Sequence, residues 1–265
     1  MQYVAAGVLF FVFDFLPGCK YHMEYMKYLD AHCHIISDAD ISRARAAGVD
    51  GLVMNAARPD EWARVVDIMA RHADVWGAIG VHPWYVGNLA AGWDAHMYDM
   101  LRQYPNLMVG EVGLDKNHPD MPAQENVLTR QIDIAARLGR TLHVHCVGAW
   151  DRMQYILAHA GCKLPRMLFH SFAGAPEIMD ALGTRYDAYF SFGGDVLDPR
   201  RTRVRTVVMH ADAARILVES DATTPNPVPW VLADVVAQIA ALRGASETAL
   251  ATTIYNNTLR IMQNG

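Results

Sequence analysis

The sequence has few cysteines, few charged residues and no long apolar run. Its 265 residues include four cysteines without CxxC spacing, which excludes a disulfide-stabilised scaffold and fits a reducing cytoplasm. Charged residues make up 19% of the chain, below the roughly 25% of soluble domains, while 52% is apolar, which excludes disorder. The 23 basic and 28 acidic residues give a net charge of −5, which argues against a strongly basic nucleic-acid coat but allows a local basic patch. No segment approaches the roughly 18 consecutive apolar residues that span a membrane.

The N-terminal region contains an apolar run with the length of a signal-peptide core. Val4–Phe13 is apolar and Cys19 follows it, so export through residues 1–19 is one interpretation. The first three residues contain no lysine or arginine, and an aspartate follows the run, so a working signal is disfavoured. We therefore expect residues 1–25 to be an extension ahead of a cytoplasmic chain that could start at Met26.

Short apolar runs alternate with longer amphipathic segments from residue 26 onward. The predicted strands, which are continuous apolar runs typical of a buried parallel sheet, are Tyr28–Ala31, Gly51–Asn55, Val75–Val81, Leu107–Gly110, Thr141–His145, Arg166–His170, Tyr186–Ser191 and Arg215–Glu219. The predicted helices are Ala39–Ala47, Asp60–Arg71, Trp93–Tyr104, Ala123–Leu138, Ala149–Ala160, Pro176–Leu182, Arg200–Ala211, Val228–Arg243 and Ser246–Met262. Eight βα units in about 240 residues predict an α/β fold of the (β/α)8 TIM-like barrel type, with residues 26–265 as a single domain. A doubly wound open sheet is the alternative, but the first strand is followed by histidines and not by a Gly-rich phosphate loop.

Ionisable residues cluster at the ends of the predicted strands. Strand 1 ends in His32 and His34, and strand 5 ends in His143 and His145, so both pairs are spaced to point the same way from an extended chain. Strands 3, 4, 6 and 8 end near His82, Glu111, His170 and Asp221. Because one face of a barrel collects the C-terminal ends of all strands, these side chains are expected to meet there, where charges in apolar surroundings need a partner. We therefore predict a metal site, although each short motif alone is compatible with an incidental, packed histidine.

The number of candidate ligands favours two cations over one. Four histidines, one glutamate and one aspartate exceed the ligands of a single tetrahedral ion. Two cations roughly 3.5–4 Å apart, sharing a carboxylate, would suit hydrolysis at phosphorus or carbon. The mixed set fits Zn²⁺ or Mn²⁺, and also Mg²⁺ with retained waters. Only one histidine of the strand-5 pair is required, so His143 is expected to face away from the site.

Several of these segments, taken in order, resemble the TatD family of metal-dependent hydrolases, which belongs to the amidohydrolase-like barrels. The segments that carry the resemblance are Leu29–His34, Gly80–Pro83, Glu111–Asp115, His170–Gly174, Glu219–Asp221 and Asn256–Arg260. The resemblance extends over residues 28–262, which is nearly the whole chain.

The resemblance implies a TIM-like barrel with two divalent cations, and characterised members of the family include deoxyribonucleases. The ligands that it implies fall into two groups sharing one carboxylate: His32, His34 and Asp221 for the first cation, His145 and His170 for the second, and Glu111 for both. It also implies that Asp221 is the candidate base for a metal-bound water.

Departures from the family pattern fall where a substrate would be held. Val147 occupies a position where the family often has arginine, Lys116–Pro119 replaces aromatic or basic residues, and Ala222–Pro225 replaces the usual Ala-Pro. These changes leave the ligand set intact, so they bear on the substrate more than on hydrolysis itself. His82 and Lys116 are candidate substrate contacts or hydrogen-bonding neighbours of the site, with a turn-capping histidine and a solvated lysine as the alternatives.

We expect a metal-dependent hydrolase that cleaves phosphoester bonds, either in DNA as a 3'-5' exonuclease or in a phosphorylated small molecule. Glu111 and Asp221 are the expected catalytic residues. An amidohydrolase-like enzyme for a cyclic amide or lactone is the alternative, and a non-catalytic metal-binding barrel is a third possibility. Trp84 and Tyr85 are candidates either for stacking on nucleic-acid bases or for packing into the core. No membrane partner is expected, and the oligomeric state is left open, a monomer included.

Overall fold

The structure is a computed structural model that describes residues 26–34, 37–223 and 231–263. The predicted extension over residues 1–25, with its alternative of an export signal, lies outside the described residues. The strands are β1 (Tyr28–Cys33), β2 (Val49–Asn55), β3 (Val75–Ile79), β4 (Met108–Asp115), β5 (Leu142–Val147), β6 (Met167–Phe169), β7 (Ala188–Phe192) and β8 (Ile216–Val218). The helices are α1 (Asp38–Ala46), α2 (Trp62–Arg71), α3 (Trp93–Gln103), α4 (Met121–Leu138), α5 (Trp150–Ala158), α6 (Pro176–Arg185), α7 (Thr202–His210), α8 (Leu232–Arg243) and α9 (Glu247–Met262).

The eight strands form one parallel sheet in chain order, β1 to β8. The two ends of this row meet just beyond β1 and β8. Asp221 N donates to His32 O at 3.0 Å, and His34 N donates to Ala222 O at 2.7 Å. These hydrogen bonds close the sheet into a barrel, so the predicted (β/α)8 barrel is confirmed. The C-terminal ends of the strands all lie at one mouth of this barrel.

Strand β4 is longer than predicted, and β6 and β8 are shorter. β4 was expected to end at Gly110, but it continues to Asp115 because Val112–Asp115 still pair with β5. The pairing of β6 and β8 ends where the chain turns into the barrel mouth. There Ser171 and Asp221 have positive φ values of 44° and 49°, which an extended strand does not accommodate.

The ends of the helices follow local capping groups. Helix α4 begins at Met121, ahead of the predicted start, because the Asp120 carboxylate caps it and Pro122 suits the first helical turn. It ends at Gly139, which adopts the left-handed conformation with a φ of 63°. Helix α8 begins at Leu232, and the earlier residues of its predicted range, 228–230, lie outside the described part of the chain.

The core lies between the strands and the surrounding helices. A smaller buried cluster (Leu29, Val53, Ala78, Met108 and Met262) joins the first four strands to the C-terminal helix α9. Three cysteines are described: Cys33 and Cys146 are buried and Cys162 is exposed. Among the described helices, none is long and apolar enough to cross a membrane.

Candidate metal centre

Six side chains that were predicted as metal ligands lie together at the mouth of the barrel. They come from β1 and the residue after it, from within β4 and β5, and from the turns after β6 and β8: His32, His34, Glu111, His145, His170 and Asp221. A cavity of about 570 Å³ opens onto five of them, and His32 is buried behind it. The structure therefore brings the predicted set together, at the face where barrel enzymes carry their chemistry.

One carboxylate oxygen of Glu111 faces the two histidines of β1. Its Oε2 lies 2.9 Å from His34 Nε2 and 3.7 Å from His32 Nε2. His34 Nδ1 lies 3.0 Å from the carbonyl oxygen of Asn55, so Nδ1 carries the proton in the neutral ring and Nε2 presents a lone pair. Two lone pairs at 2.9 Å repel each other unless a cation or a proton lies between them. Asp221 Oδ1 completes this group, 3.8 Å from His34 Nε2 and 3.9 Å from His32 Nε2.

The other carboxylate oxygen of Glu111 faces a second set of imidazoles. Its Oε1 lies 2.7 Å from His170 Nε2, 2.9 Å from His145 Nδ1 and 3.3 Å from His82 Nε2. His145 Nδ1 and His170 Nε2 are 3.0 Å apart, so the three atoms form a compact triangle. Glu111, which is only 2% exposed, thus lies between the imidazoles of β1 and the second set, and the two sets meet where His32 and His170 both approach it.

The chemistry of these groups fits divalent cations. Both ring nitrogens of His32 are buried and make no hydrogen bond among the described residues. Burial acts to raise the pKa of Glu111, but the neighbouring imidazoles of His170 and His82 outweigh it and hold the pKa well below its usual value. Partial burial, together with the carboxylates of Glu219 and Glu111, raises the pKa of Asp221 to about 6. An anionic Glu111 surrounded by imidazoles, among them a His32 ring with neither nitrogen hydrogen-bonded, is the donor set that a borderline divalent cation accepts.

Two buried acids that were given no role in the sequence analysis support the centre from behind. Glu219 accepts hydrogen bonds from Ser171 N at 2.7 Å and from Ser191 Oγ, and lies 3.7 Å from His170 Nδ1. It therefore faces the ring nitrogen of His170 opposite the one near Glu111. A fully buried glutamate needs such partners. The position of Glu219 directly after an apolar strand was therefore the signal from which its supporting role could have been predicted.

Asp30 is the second of these acids and anchors the backbone on both sides of the first ligand group. It accepts hydrogen bonds from His32 N at 3.2 Å and from Ser220 N at 2.9 Å. Burial raises the pKa of Asp30 to about 7. This carboxyl group ties the end of β1 to the turn that presents Asp221.

The prediction that His143 faces away from the site is wrong. Side chains alternate along β5, so His143 points to the same side as His145, into the barrel. Its ring is fully buried and lies 6.1 Å from the ring of His32. Burial lowers the pKa of His143 to about 3, which keeps the ring neutral beneath the centre.

His82 and Lys116 occupy different surroundings. His82 caps the turn Pro83–Asn88, since its Nδ1 accepts a hydrogen bond from Trp84 N at 3.2 Å. A neutral His82 therefore carries its proton on Nε2, the atom 3.3 Å from Glu111, so both interpretations made from the sequence apply to it. Lys116 is exposed at the end of β4 and is not among the described residues that line the cavity, so its role in substrate contact stays a prediction.

Comparison with known proteins places this centre in a family. A sequence model of the family described as TatD related DNase matches residues 29–263. The protein named 3'-5' ssDNA/RNA exonuclease TatD from Enterobacter lignolyticus is 32% identical over 240 residues, which cover 83% of this chain and 90% of that relative. The protein of the same name from Escherichia fergusonii is 30% identical over 235 residues, covering 83% of this chain and 90% of the relative.

Solved structures agree with this assignment. The crystal structure of YJJV, a TatD homologue from Escherichia coli, aligns with a TM-score of 0.81 at 25% identity, covering 88% of this chain and 97% of that one. A TatD family hydrolase from Entamoeba histolytica has a TM-score of 0.76 at 14% identity, covering 88% of this chain and 97% of that one, which supports the fold. The chain therefore belongs to the TatD family of metal-dependent hydrolases.

Proposed function

We propose that this protein is a 3'-5' exonuclease that acts on single-stranded DNA or RNA and binds two divalent cations. The observation that carries the proposal is the division of Glu111 between two ligand groups, with Oε2 beside His34 and Oε1 beside His145 and His170. Two centres that share a carboxylate suit displacement at a phosphodiester, where both the attacking and the leaving oxygen develop charge. The names of the relatives support nucleic acid as the substrate.

The proposed ligand sets follow the two sides of the Glu111 carboxylate. His32, His34 and Asp221 would hold the first cation, and His145 and His170 the second, with Glu111 between them. The nitrogen-rich set favours Zn²⁺ or Mn²⁺, with Mg²⁺ as the oxygen-preferring alternative. Bound cations supply Lewis acidity toward phosphoryl oxygens and lower the pKa of a coordinated water.

The residues of the chain have separate tasks around the substrate. The side chain of Asp221 is 46% exposed toward the mouth, and its carboxylate accepts the proton of the attacking water and passes it to solvent. His82 carries its proton on Nε2, so it donates a hydrogen bond to Glu111 or to a phosphoryl oxygen in the cavity. Glu219 and Asp30 keep His170 and the turn before Asp221 in place.

A carbamylated lysine, used by many related barrels that cleave amides and lactones, has no counterpart at the cavity. Among the described residues that line it, none is lysine, and Glu111 occupies the position between the two ligand groups. This composition favours phosphodiester hydrolysis over the amide or lactone alternative.

Degradation of an end-labelled oligonucleotide tests the proposal. With Zn²⁺, Mn²⁺ or Mg²⁺ supplied, a 5'-labelled single strand should shorten stepwise from its 3' end, and a chelator should stop the reaction. His32→Ala and Asp221→Asn should abolish cleavage with little loss of folded protein. His159→Ala, which changes an exposed histidine just after helix α5, is the matched control and should cleave normally. Turnover of a lactone or cyclic amide without cleavage of any phosphodiester would refute the proposal.

A further inference from the structure

A half-exposed tryptophan stands at the rim of the cavity in a fixed orientation. Trp84 is 50% exposed and lines the cavity beside Glu111. Its indole Nε1 donates to Asp115 Oδ2 at 2.7 Å, and its ring stacks on His118 with centroids 4.6 Å apart and planes at 18°. Asp115 also accepts a hydrogen bond from Asn117 N at 2.8 Å, so the carboxylate that holds the indole is itself fixed in place.

The surroundings of Trp84 contrast with those of a tryptophan in the core. Trp62 is fully buried, and its indole N–H bonds the carbonyl oxygen of Gly80 at 2.9 Å. Trp84 satisfies its N–H equally well but leaves half of its surface in solvent, which stabilises folding little. An aromatic ring that is held rigid yet left open loses little conformational entropy when it binds a ligand.

Basic and aromatic side chains continue this surface along the cavity. Tyr85 is 39% exposed, and the guanidinium of Arg58 lies 5.3 Å above its ring. Arg58 is also held by Glu61 at 3.2 Å, and both Arg58 and Arg64 line the cavity. The same lining carries the carboxylates of Asp60, Glu61, Glu111 and Asp221, so the two arginines supply guanidinium donors for a phosphate and not a net positive charge.

His82 connects this surface to the candidate metal centre. Its Nε2 is 3.3 Å from Glu111 Oε1, and its ring lies edge-on to Trp84 with centroids 5.0 Å apart. A phosphodiester bound at the candidate metal centre would therefore lie next to His82, and the His82 ring in turn contacts the Trp84 ring.

We propose that Trp84 is the platform on which the base of the 3'-terminal nucleotide stacks, and that Arg58 contacts the adjacent phosphate. The inference rests on the proposed nuclease function and assigns the substrate contacts that the metal ligands do not provide. Stacking on an aromatic ring is tolerant of base identity but requires an unpaired base. The platform therefore selects single strands over duplexes.

Substrates with and without the terminal base test the platform. On a single strand with a normal 3'-terminal nucleotide, Trp84→Ala should lower kcat/KM roughly tenfold, and Trp84→Phe should lose less because it keeps an aromatic face. Removing the base from the 3'-terminal nucleotide should lower kcat/KM of the wild type by a similar factor. The same change of substrate should lower kcat/KM of Trp84→Ala only slightly. If removal of the base lowers kcat/KM by the same factor in the wild type and in Trp84→Ala, the platform is wrong. The proposed nuclease function would not be affected by this result.

The chain offers a matched control for this variant. Tyr155 is 65% exposed and stacks on His159 with centroids 4.2 Å apart, but it lies outside the cavity. Tyr155→Ala should leave both substrates unaffected. For Arg58→Gln the control is Arg200→Gln, which removes an exposed, paired arginine away from the cavity. Arg58→Gln alone should weaken binding for all sequences and flatten its salt dependence.

A binding measurement separates failure of the platform from failure of the proposed function. An oligonucleotide with phosphorothioate linkages at its 3' end should quench the tryptophan fluorescence of the wild type and quench that of Trp84→Phe much less. If the wild type cleaves no nucleic acid but shows this difference, the nuclease function fails and the platform stands. If quenching is the same in both proteins, the platform is wrong whatever the cleavage assay gives.

Discussion

Gly113 tests whether the close approach of β4 and β5 is required for the candidate metal centre. This residue pairs with His145 in the sheet, and a Cβ atom added to it would lie 1.9 Å from the His145 carbonyl oxygen. A carbon–oxygen contact normally needs about 3.3 Å, so the strands would have to separate locally. The other nearest atoms, at 2.7 Å and 2.9 Å, also belong to the His145 backbone, so no side-chain rotation relieves the clash.

We expect Gly113→Ala to lower the free energy of unfolding by about 3–7 kcal/mol. Overpacking costs about 1–3 kcal/mol, backbone strain at a φ of 155° about 1–3 kcal/mol, and each weakened ladder bond about 1 kcal/mol. Since single domains are stable by only about 5–15 kcal/mol, the loss is large. The backbone shift should also move His145 and reduce bound metal.

Urea denaturation and metal analysis together measure the effect at Gly113. Gly194→Ala is the control, because an added Cβ there meets nothing within 4 Å, and it should stay within about 0.5 kcal/mol of the wild type. A Gly113→Ala protein with wild-type stability and full metal content would refute the argument that these strands are in closest contact here.

Two further predictions concern stability. Trp62→Phe should lower the free energy of unfolding by about 2 kcal/mol, since it leaves the Gly80 carbonyl oxygen without its 2.9 Å donor, and a change below 0.5 kcal/mol in urea denaturation would contradict it. Adding Zn²⁺ or Mn²⁺ at about 100 times its dissociation constant should stabilise chelator-treated protein by about 2.7 kcal/mol. A thermal melt should detect this shift in the wild type and a smaller one in His32→Ala, which keeps the second proposed ligand group; equal melting with and without metal in the wild type would count against the centre.

The barrel was predictable because its signals are local. A strand buried on both faces gives a short continuous apolar run, so all eight strands were located from the sequence. The second half of β4 was missed because Glu111, Gly113 and Asp115 interrupt the apolar run. Its pairing with β5 keeps this segment in the sheet. Pairing with a distant strand leaves no mark in the composition of the segment itself.

The candidate site was predictable as a set of residues but not as an arrangement. Strand-end position brought the six predicted ligands to one face, and their role as metal ligands stays a prediction. Side chains two residues apart in a strand point the same way, which applies to His143 and His145 as it does to His32 and His34. The orientation of the His143 side chain could therefore have been predicted from the sequence. The meeting of Arg58 with Tyr85, and of Trp84 with His118, depends on loops whose paths are set by the whole fold.

Stacked imidazoles link the folding of the barrel to its chemistry. The rings of His32 and His170 lie 4.0 Å apart at 9°, and His143 lies behind them, 6.1 Å from His32. Charged rings at this distance would repel strongly in a poorly solvated interior, whereas neutral rings leave buried lone pairs without donors. A cation beside Glu111 removes both costs, because it keeps the imidazoles neutral and accepts their lone pairs. The polar layer that we propose as the metal centre is therefore also the layer of the core whose stability would depend most on a bound cation.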